Sequence, residues 1–200
     1  METHKVNRPQ ITLASASPRR CELLDQIQVS YGVQPVDIDE SHQPGETAEQ
    51  YVRRLALEKA RAGYRLCPER PALGADTIVV CGQRIMGKPA DKQMANEMLS
   101  LLSGRSHRVM TAVAICDANH EQCLLSSSEV EFAELSPAQI DAYWQTGEPE
   151  DKAGAYAIQG RAAQFIKNIR GSYSGIVGLP LYETTALLNT VGILKLQNAE

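Results

Sequence analysis

The residues that could do chemistry are acids and bases set among small side chains. Asp76 stands in Leu73-Gly74-Ala75-Asp76-Thr77-Ile78-Val79-Val80-Cys81, at the edge of what reads as a buried, β-branched strand. No basic residue lies within two positions of it, and Gly74 and Ala75 leave room for a ligand to approach the backbone. Asp76 is either a turn aspartate ahead of a strand or a carboxylate kept for a ligand. Ser15-Ala16-Ser17-Pro18-Arg19-Arg20 reads as a strand end running into a helix, with Ser17 at the N-cap and Pro18 in the first helical position. Arg19 and Arg20 then add positive charge to the positive end of a helix dipole. A phosphate would resolve that conflict, held by free N–H groups, the Ser15 and Ser17 hydroxyls and a guanidinium. Two solvated arginines are the other reading. Lys88, between Gly87 and Pro89, has extended backbone and sits at a stiff loop tip, aimed at a ligand or merely exposed. The segment from Glu148 to Gly160 mixes charges, small residues and one tyrosine with no helical or strand period. Irregular segments of that length tend to be functional.

The elements that must position these groups follow from patterning. Gln10–Ser15 and Val33–Asp39 read as strands. Thr47 and Gln50 form a capping box ahead of a long helix, whose apolar stripe is Tyr51, Val52, Leu55 and Ala62. Glu58 and Lys59 fall on the continuation of that stripe, so they either snorkel out at its border or face a polar cavity. Arg53, Arg54 and Arg61 read as solvated charges. Cys81-Gly82-Gln83 makes a hairpin-like turn. Asp91 caps a helix to Leu102 with Met94, Ala95, Met98, Leu99 and Leu102 on one face. Ser106–Asp117 and Leu124–Phe132 read as an antiparallel pair. A helix over Ala138–Thr146, a strand over Ala163–Ile169, a loop over Gly171–Gly175 and a helix over Leu181–Asn189 complete the chain. His107 and His120 have no partner at metal-ligand spacing and are read as structural.

Composition narrows the class. Two hundred residues, 43% of them hydrophobic, suit one domain or two small lobes around a cleft. A net charge of -4 and a pI near 5.6 argue against general binding to nucleic acid or to an anionic membrane. No apolar run reaches the length of a membrane span. The five cysteines, with no CxxC pair, suit reduced thiols in the cytoplasm. Residues 1–9 read as a loose leader without a signal-peptide core, residues 10–192 as the folded domain, and residues 193–200 as a tail.

Taken together, Ser15-Ala16-Ser17-Pro18-Arg19-Arg20, Arg54 with Glu58-Lys59-Ala60, Gly74-Ala75-Asp76-Thr77, Gly87-Lys88-Pro89, Asp151-Lys152-Ala153-Gly154-Ala155-Tyr156 with Gln159-Gly160, and Gly178-Leu179-Pro180 resemble the Maf family of nucleoside triphosphate pyrophosphatases. The resemblance runs from Ile11 to Asn189. It is nearest to the dTTP/UTP branch, which leaves a nucleoside monophosphate and pyrophosphate. Ala157 and Gly175 depart from the pattern, standing where relatives often have Gly and Asn. The resemblance implies an α/β fold of the Maf/ITPase kind: a mixed, twisted sheet flanked by helices, in two lobes around a central cleft. It implies Asp76 as proton acceptor, Arg19, Thr77 and Gln159 as positions that set substrate choice, and Glu58, Lys59 and Lys88 as charges lining the cleft. It also implies a homodimer.

That chemistry has clear requirements. Cleavage between the α- and β-phosphates needs offset negative charge, an in-line water and a place for its proton. Arg19, Lys59 and Lys88 supply positive charge beside the helix that starts after Ser17. A divalent cation, Mg²⁺ or else Mn²⁺, takes oxygen ligands, for which Asp76 and Glu58 are the candidates. Gln159 carries both an acceptor and donors, matching the imide edge of uracil or thymine. Two rival functions share these residues: a nucleotide-binding regulator of cell division with little catalysis, and a nucleotidyltransferase with an acceptor in place of water.

Overall fold

A computed structural model describes residues 9–193. The expected leader and tail fall outside the described residues, apart from Pro9 and Ile193 at their inner edges. The elements run β1 (Ile11–Leu13), α1 (Pro18–Gln26), β2 (Tyr31–Val33), α2 (Ala48–Leu66), β3 (Ala72–Cys81), β4 (Arg84–Met86), α3 (Lys92–Leu102), β5 (Ser106–Cys116), β6 (Glu121–Phe132), α4 (Pro137–Trp144), β7 (Ile166–Arg170), α5 (Tyr173–Val177) and α6 (Leu181–Thr190). Short 3₁₀ turns at Ala153–Ala155 and Arg161–Phe165 precede β7.

The strands form one mixed sheet in the order β2-β1-β3-β5-β6-β7, with β4 also paired to β3. β1 is parallel to β2 and β3, while β3–β4, β3–β5, β5–β6 and β6–β7 are antiparallel. β3 lies at the centre, and its two edges differ. On one side β5 pairs with it from Ala72 to Val80. On the other, β1 pairs only at Ala72 and Leu73, and β4 only from Val79 to Cys81. Residues 74–78 therefore face a gap between the end of β1 and the end of β4. The chain leaves β1 into Ser15–Ser17 and leaves β4 into Gly87–Lys88, so both motifs end at that gap.

Burial separates the faces. Ile78, Val80, Met110, Ala112 and Ala114 pack against Val52, Ala56 and Ala60 of α2. On the opposite face two cores share the sheet. Ile11, Leu13, Leu24, Leu73, Val113 and Leu187 build one lobe, and Val79, Met86, Leu99, Val109, Phe132 and Tyr156 build the other. The cleft lies between them. Alternation along β3 sends Gly74, Asp76 and Ile78 toward α2 and Ala75, Thr77 and Val79 to the other face.

Several sequence expectations need correction. The second strand is Tyr31–Val33 and ends where the pattern places its start; residues 34–47 wrap irregularly back to α2. Met94 is exposed, its sulfur accepting from the Ala90 N–H. The last strand begins only at Ile166, because residues 161–165 coil into a 3₁₀ turn that buries Ala162 and Phe165. Within the expected Gly171–Gly175 loop a short helix starts, capped by Ser172 accepting from the Gly175 N–H. The expected capping box at Thr47 with Gln50 is formed, and a second one, not read from the sequence, joins Ser136 and Gln139.

Candidate active site

Asp76 stands in the middle of β3, not at its edge as the local pattern suggests, and only 8% of it is exposed. Its partner comes from α2: Lys59 Nζ donates to Asp76 Oδ1 at 2.7 Å and pairs with Glu40 Oε1 at 2.6 Å. One ammonium thus bridges two carboxylates. Burial pushes the Asp76 carboxyl above the usual carboxylate range, against the pull of the Lys59 charge and hydrogen bond. Burial acts on Glu40 as well, but there the Lys59 hydrogen bond, with the charges of Lys59, Lys88 and Arg20, outweighs it and holds the carboxyl low. Two acids around one base are driven in opposite directions, which makes Asp76 the more basic of the pair.

The gap in β3 opens into a cleft of about 520 Å³. Ser15, Ser17, Arg19, Lys59, Asp76, Thr77, Lys88 and Gln159 all line it, so eight of the nine expected site residues converge. Glu58 is the exception. Turned about 100° from Lys59 around the helix, Glu58 accepts from Arg54 at 3.3 Å and does not line the cavity. The acids that do line it, besides Asp76, are Glu40 and Asp151. The sequence reading passed over Glu40 because residue 40 falls in the segment between the strand expected over Val33–Asp39 and the helix capped by Thr47, where no pattern singles it out. Arg54, read as solvated, is what holds that segment. It grips Glu46 with two nitrogens at 2.7 and 3.0 Å and donates to the Ser41 carbonyl, while Tyr51 donates to the Glu40 carbonyl at 2.7 Å. The Arg54 hydrogen bonds push the Glu46 carboxyl down to about 2.

At the other rim, α1 begins with neither a side-chain cap nor an acidic residue in its first turn. The Ser17 side chain does not cap; its N–H donates to Ser15 Oγ, which also accepts from Arg20 Nη1 at 2.9 Å. Arg20 donates from Nε to the Gly178 carbonyl, tying the start of α1 to the turn before α6, and desolvation there lowers its pKa. Arg19 reaches across the cleft mouth to Asp151 at 3.1 Å. Lys152 also pairs with Asp151.

The segment from Glu148 to Gly160 is shaped by a second polar knot. The Glu148 carboxylate accepts from Tyr143 Oη at 2.7 Å and from the N–H groups of Arg161 and Ala162, and Tyr143 Oη accepts from the Ala157 N–H. Gln159 is held between these anchors, exposed and lining the cleft. Gly154, at φ +70, lets the segment press on Val79, where a side chain would collide. Its N–H donates to the Gly87 carbonyl, joining this segment to the Lys88 loop. His107 is buried, bonded to Tyr156 Oη at 2.8 Å and stacked edge-on to Phe132, a structural role as the sequence suggests. Among the described residues no three His, Cys, Asp or Glu side chains are gathered to hold a metal. Asp76 and Glu40, both lining the cleft, still suit a cation of the Mg²⁺ kind, which takes one or two protein carboxylates and completes its shell with water and substrate phosphates.

Comparison with known proteins agrees. The family described as Maf-like protein matches residues 10–191. The chain is 50% identical over 187 residues to the dTTP/UTP pyrophosphatase of Pseudoalteromonas atlantica, covering 92% of this chain and 97% of that one. It is 53% identical over 188 residues to the dTTP/UTP pyrophosphatase of Alkalilimnicola ehrlichii, covering 91% and 93%. A solved structure, the Staphylococcus aureus Ham1 protein, aligns with TM-score 0.45 at 14% identity over 78% of this chain and 90% of that one, too distant to bear on function. With one match spanning almost every described residue and relatives at about half identity over more than nine tenths of their length, the chain belongs to the Maf-like protein family.

Proposed function

We propose that this protein is a nucleoside triphosphate pyrophosphatase that hydrolyses dTTP and UTP, with modified pyrimidine triphosphates such as 5-methyl-UTP, to the nucleoside monophosphate and pyrophosphate. The observation that carries the reading is the meeting of a buried, pKa-raised Asp76 with Arg19, Lys59 and Lys88 in one cleft. The activity for which those relatives are named supports the choice of substrate. A regulator without catalysis would have no use for a desolvated carboxylate of raised basicity, so hydrolysis is the better account.

In the mechanism, the triphosphate displaces Asp151 from Arg19 and lies along the open N-terminus of α1 toward Lys88. Asp76 takes the proton of the attacking water as its oxygen bonds to the α-phosphorus. The bond from that phosphorus to the bridging oxygen breaks, and pyrophosphate leaves with the electron pair. Lys59 stays between Asp76 and Glu40 and accommodates the change of charge. Nucleotide pyrophosphatases of this family depend in general on a divalent cation. Here Asp76 and Glu40, not Glu58, are the carboxylates to hold it, with Mg²⁺ the first choice and Mn²⁺ its substitute. When bound, it would offset triphosphate charge and lower the pKa of water. Gln159 reads the imide edge of uracil or thymine with one acceptor and one donor. The enzyme works in the cytoplasm, in keeping with five free cysteines, and as a homodimer, in keeping with the resemblance.

Pyrophosphate release over a panel of nucleoside triphosphates, with and without Mg²⁺ and with and without hydroxyl acceptors, tests this reading. We expect release from dTTP and UTP that needs the cation and ignores the acceptors. Nucleotide binding without release would favour the regulator, and release only with an acceptor the transferase.

A further inference from the structure

Thr77 lines the cleft one residue after Asp76, on the opposite face of β3. Its hydroxyl lies 3.0 Å from that of Thr111, its cross-strand partner on β5. Thr111 is 1% exposed and donates its hydroxyl hydrogen to the Gly175 carbonyl at 2.7 Å. A hydroxyl has one hydrogen. Since a carbonyl only accepts, the Thr111 hydrogen is committed to Gly175. Two hydroxyl oxygens at 3.0 Å need a hydrogen between them, and only Thr77 can supply it. The chain therefore runs Thr77 to Thr111 to the Gly175 carbonyl, and Thr77 turns only lone pairs toward the cleft.

An acceptor of that kind is wrong for a phosphate, whose oxygens are acceptors too. It suits a donor on the nucleotide. Asp76 acts at the α-phosphate, and the sugar is the part of a nucleotide next to that phosphate. The 2′-hydroxyl is absent from dTTP and present in UTP, while the 3′-hydroxyl is common to both. Resting on the pyrophosphatase reading above, we propose that Thr77 accepts a hydrogen bond from the 3′-hydroxyl of the substrate. Thr111 is then a positioning residue, which fixes the direction of that bond without touching the nucleotide.

The test compares dTTP with its 3′-deoxy analogue, and UTP with CTP, in the wild type and in Thr77→Val, Thr111→Val and Thr111→Ser. In the wild type, kcat/KM should fall about threefold to tenfold on removal of the 3′-hydroxyl, the size of one neutral hydrogen bond. Thr77→Val should erase that ratio. Thr111→Val should shrink it, because a freed Thr77 hydroxyl can donate instead, and Thr111→Ser should restore it. A purely structural effect of Thr111 would slow both nucleotides alike and leave the ratio intact, which would overturn the proposal. So would equal handling of dTTP and its 3′-deoxy analogue by the wild type. A change confined to the UTP to CTP ratio would mean that Thr77 meets the base, also overturning it. Failure of the wild type to hydrolyse dTTP at all would instead refute the pyrophosphatase reading.

Discussion

Lys59 has two carboxylate partners, and this shapes what single substitutions do. In Asp76→Asn, Lys59 keeps its 2.6 Å pair with Glu40, so no buried charge is left alone. The folded-state pKa of Asp76 is raised, so whatever this group adds to stability is present below its unfolded pKa and is lost as the pH rises through the folded value. Above that range the buried acid is a burden on the fold. Asp76→Asn should therefore lose about 10²–10⁴-fold in kcat while its thermal midpoint at pH 7 holds or rises. Near-normal turnover would rule out Asp76 as proton acceptor. The acid limb of kcat/KM in the wild type should also lie above the ordinary aspartate pKa, which a pH–rate profile reads directly. Gln159 is exposed and anchored only through its neighbours, so Gln159→Ala should leave folding intact and weaken the preference for UTP over CTP and purine triphosphates. A substrate panel unchanged by that variant would remove Gln159 from base reading.

At the scale of elements, the contact that matters most is α2 on β3. Gly74 and Ala75 suggest room for a ligand, yet the space beside Gly74 is filled by α2. A Cβ there would run into the Ala56 carbonyl oxygen and the Ala60 amide nitrogen. The glycine serves the helix, and the helix brings Lys59 to Asp76. Gly74→Ala must push α2 outward, at a cost of about 1–3 kcal/mol for overpacking. It should also part Lys59 from Asp76 and lower kcat. Denaturant unfolding and steady-state rates check both; a variant with unchanged stability and rate would mean the helix can shift without disturbing the pair. The helix is legible in the sequence through its capping box and stripe. The strand's central position is not, because Asp76 sits among small residues that imitate a turn. Glu40 was out of reach for a similar reason: what orders residues 40–46 is Arg54 and Tyr51 on α2, outside the segment itself.

Across the whole molecule, two cores on one face of a shared sheet leave the cleft between them, and the buried His107 ties β5 to the segment that carries Gln159. Burial pushes His107 down to about 4. A histidine with a depressed folded pKa gives stability that is present above its unfolded value and lost as the pH falls toward the folded one. The protein should therefore weaken between about pH 6.5 and pH 4, by about 3 kcal/mol from this group. Urea unfolding at pH 7 and pH 4 should show the loss, and His107→Gln should show a smaller difference between the two. An equal acid loss in both proteins would show that His107 carries none of it.

By itself the sequence determined the kinds of element and the stock of chemical groups, since periodicity, caps and breakers act between residues a few positions apart. The tertiary structure alone decided that Lys59 and not Glu58 faces the cleft, that Glu40 joins it, that one edge of β3 is unpaired at Asp76, and that Thr111 orders the Thr77 hydroxyl. Those outcomes join residues as far as 64 positions apart, such as Thr111 and Gly175. Distances of that kind are set by how α2 and the two lobes pack on the sheet, which no local pattern encodes.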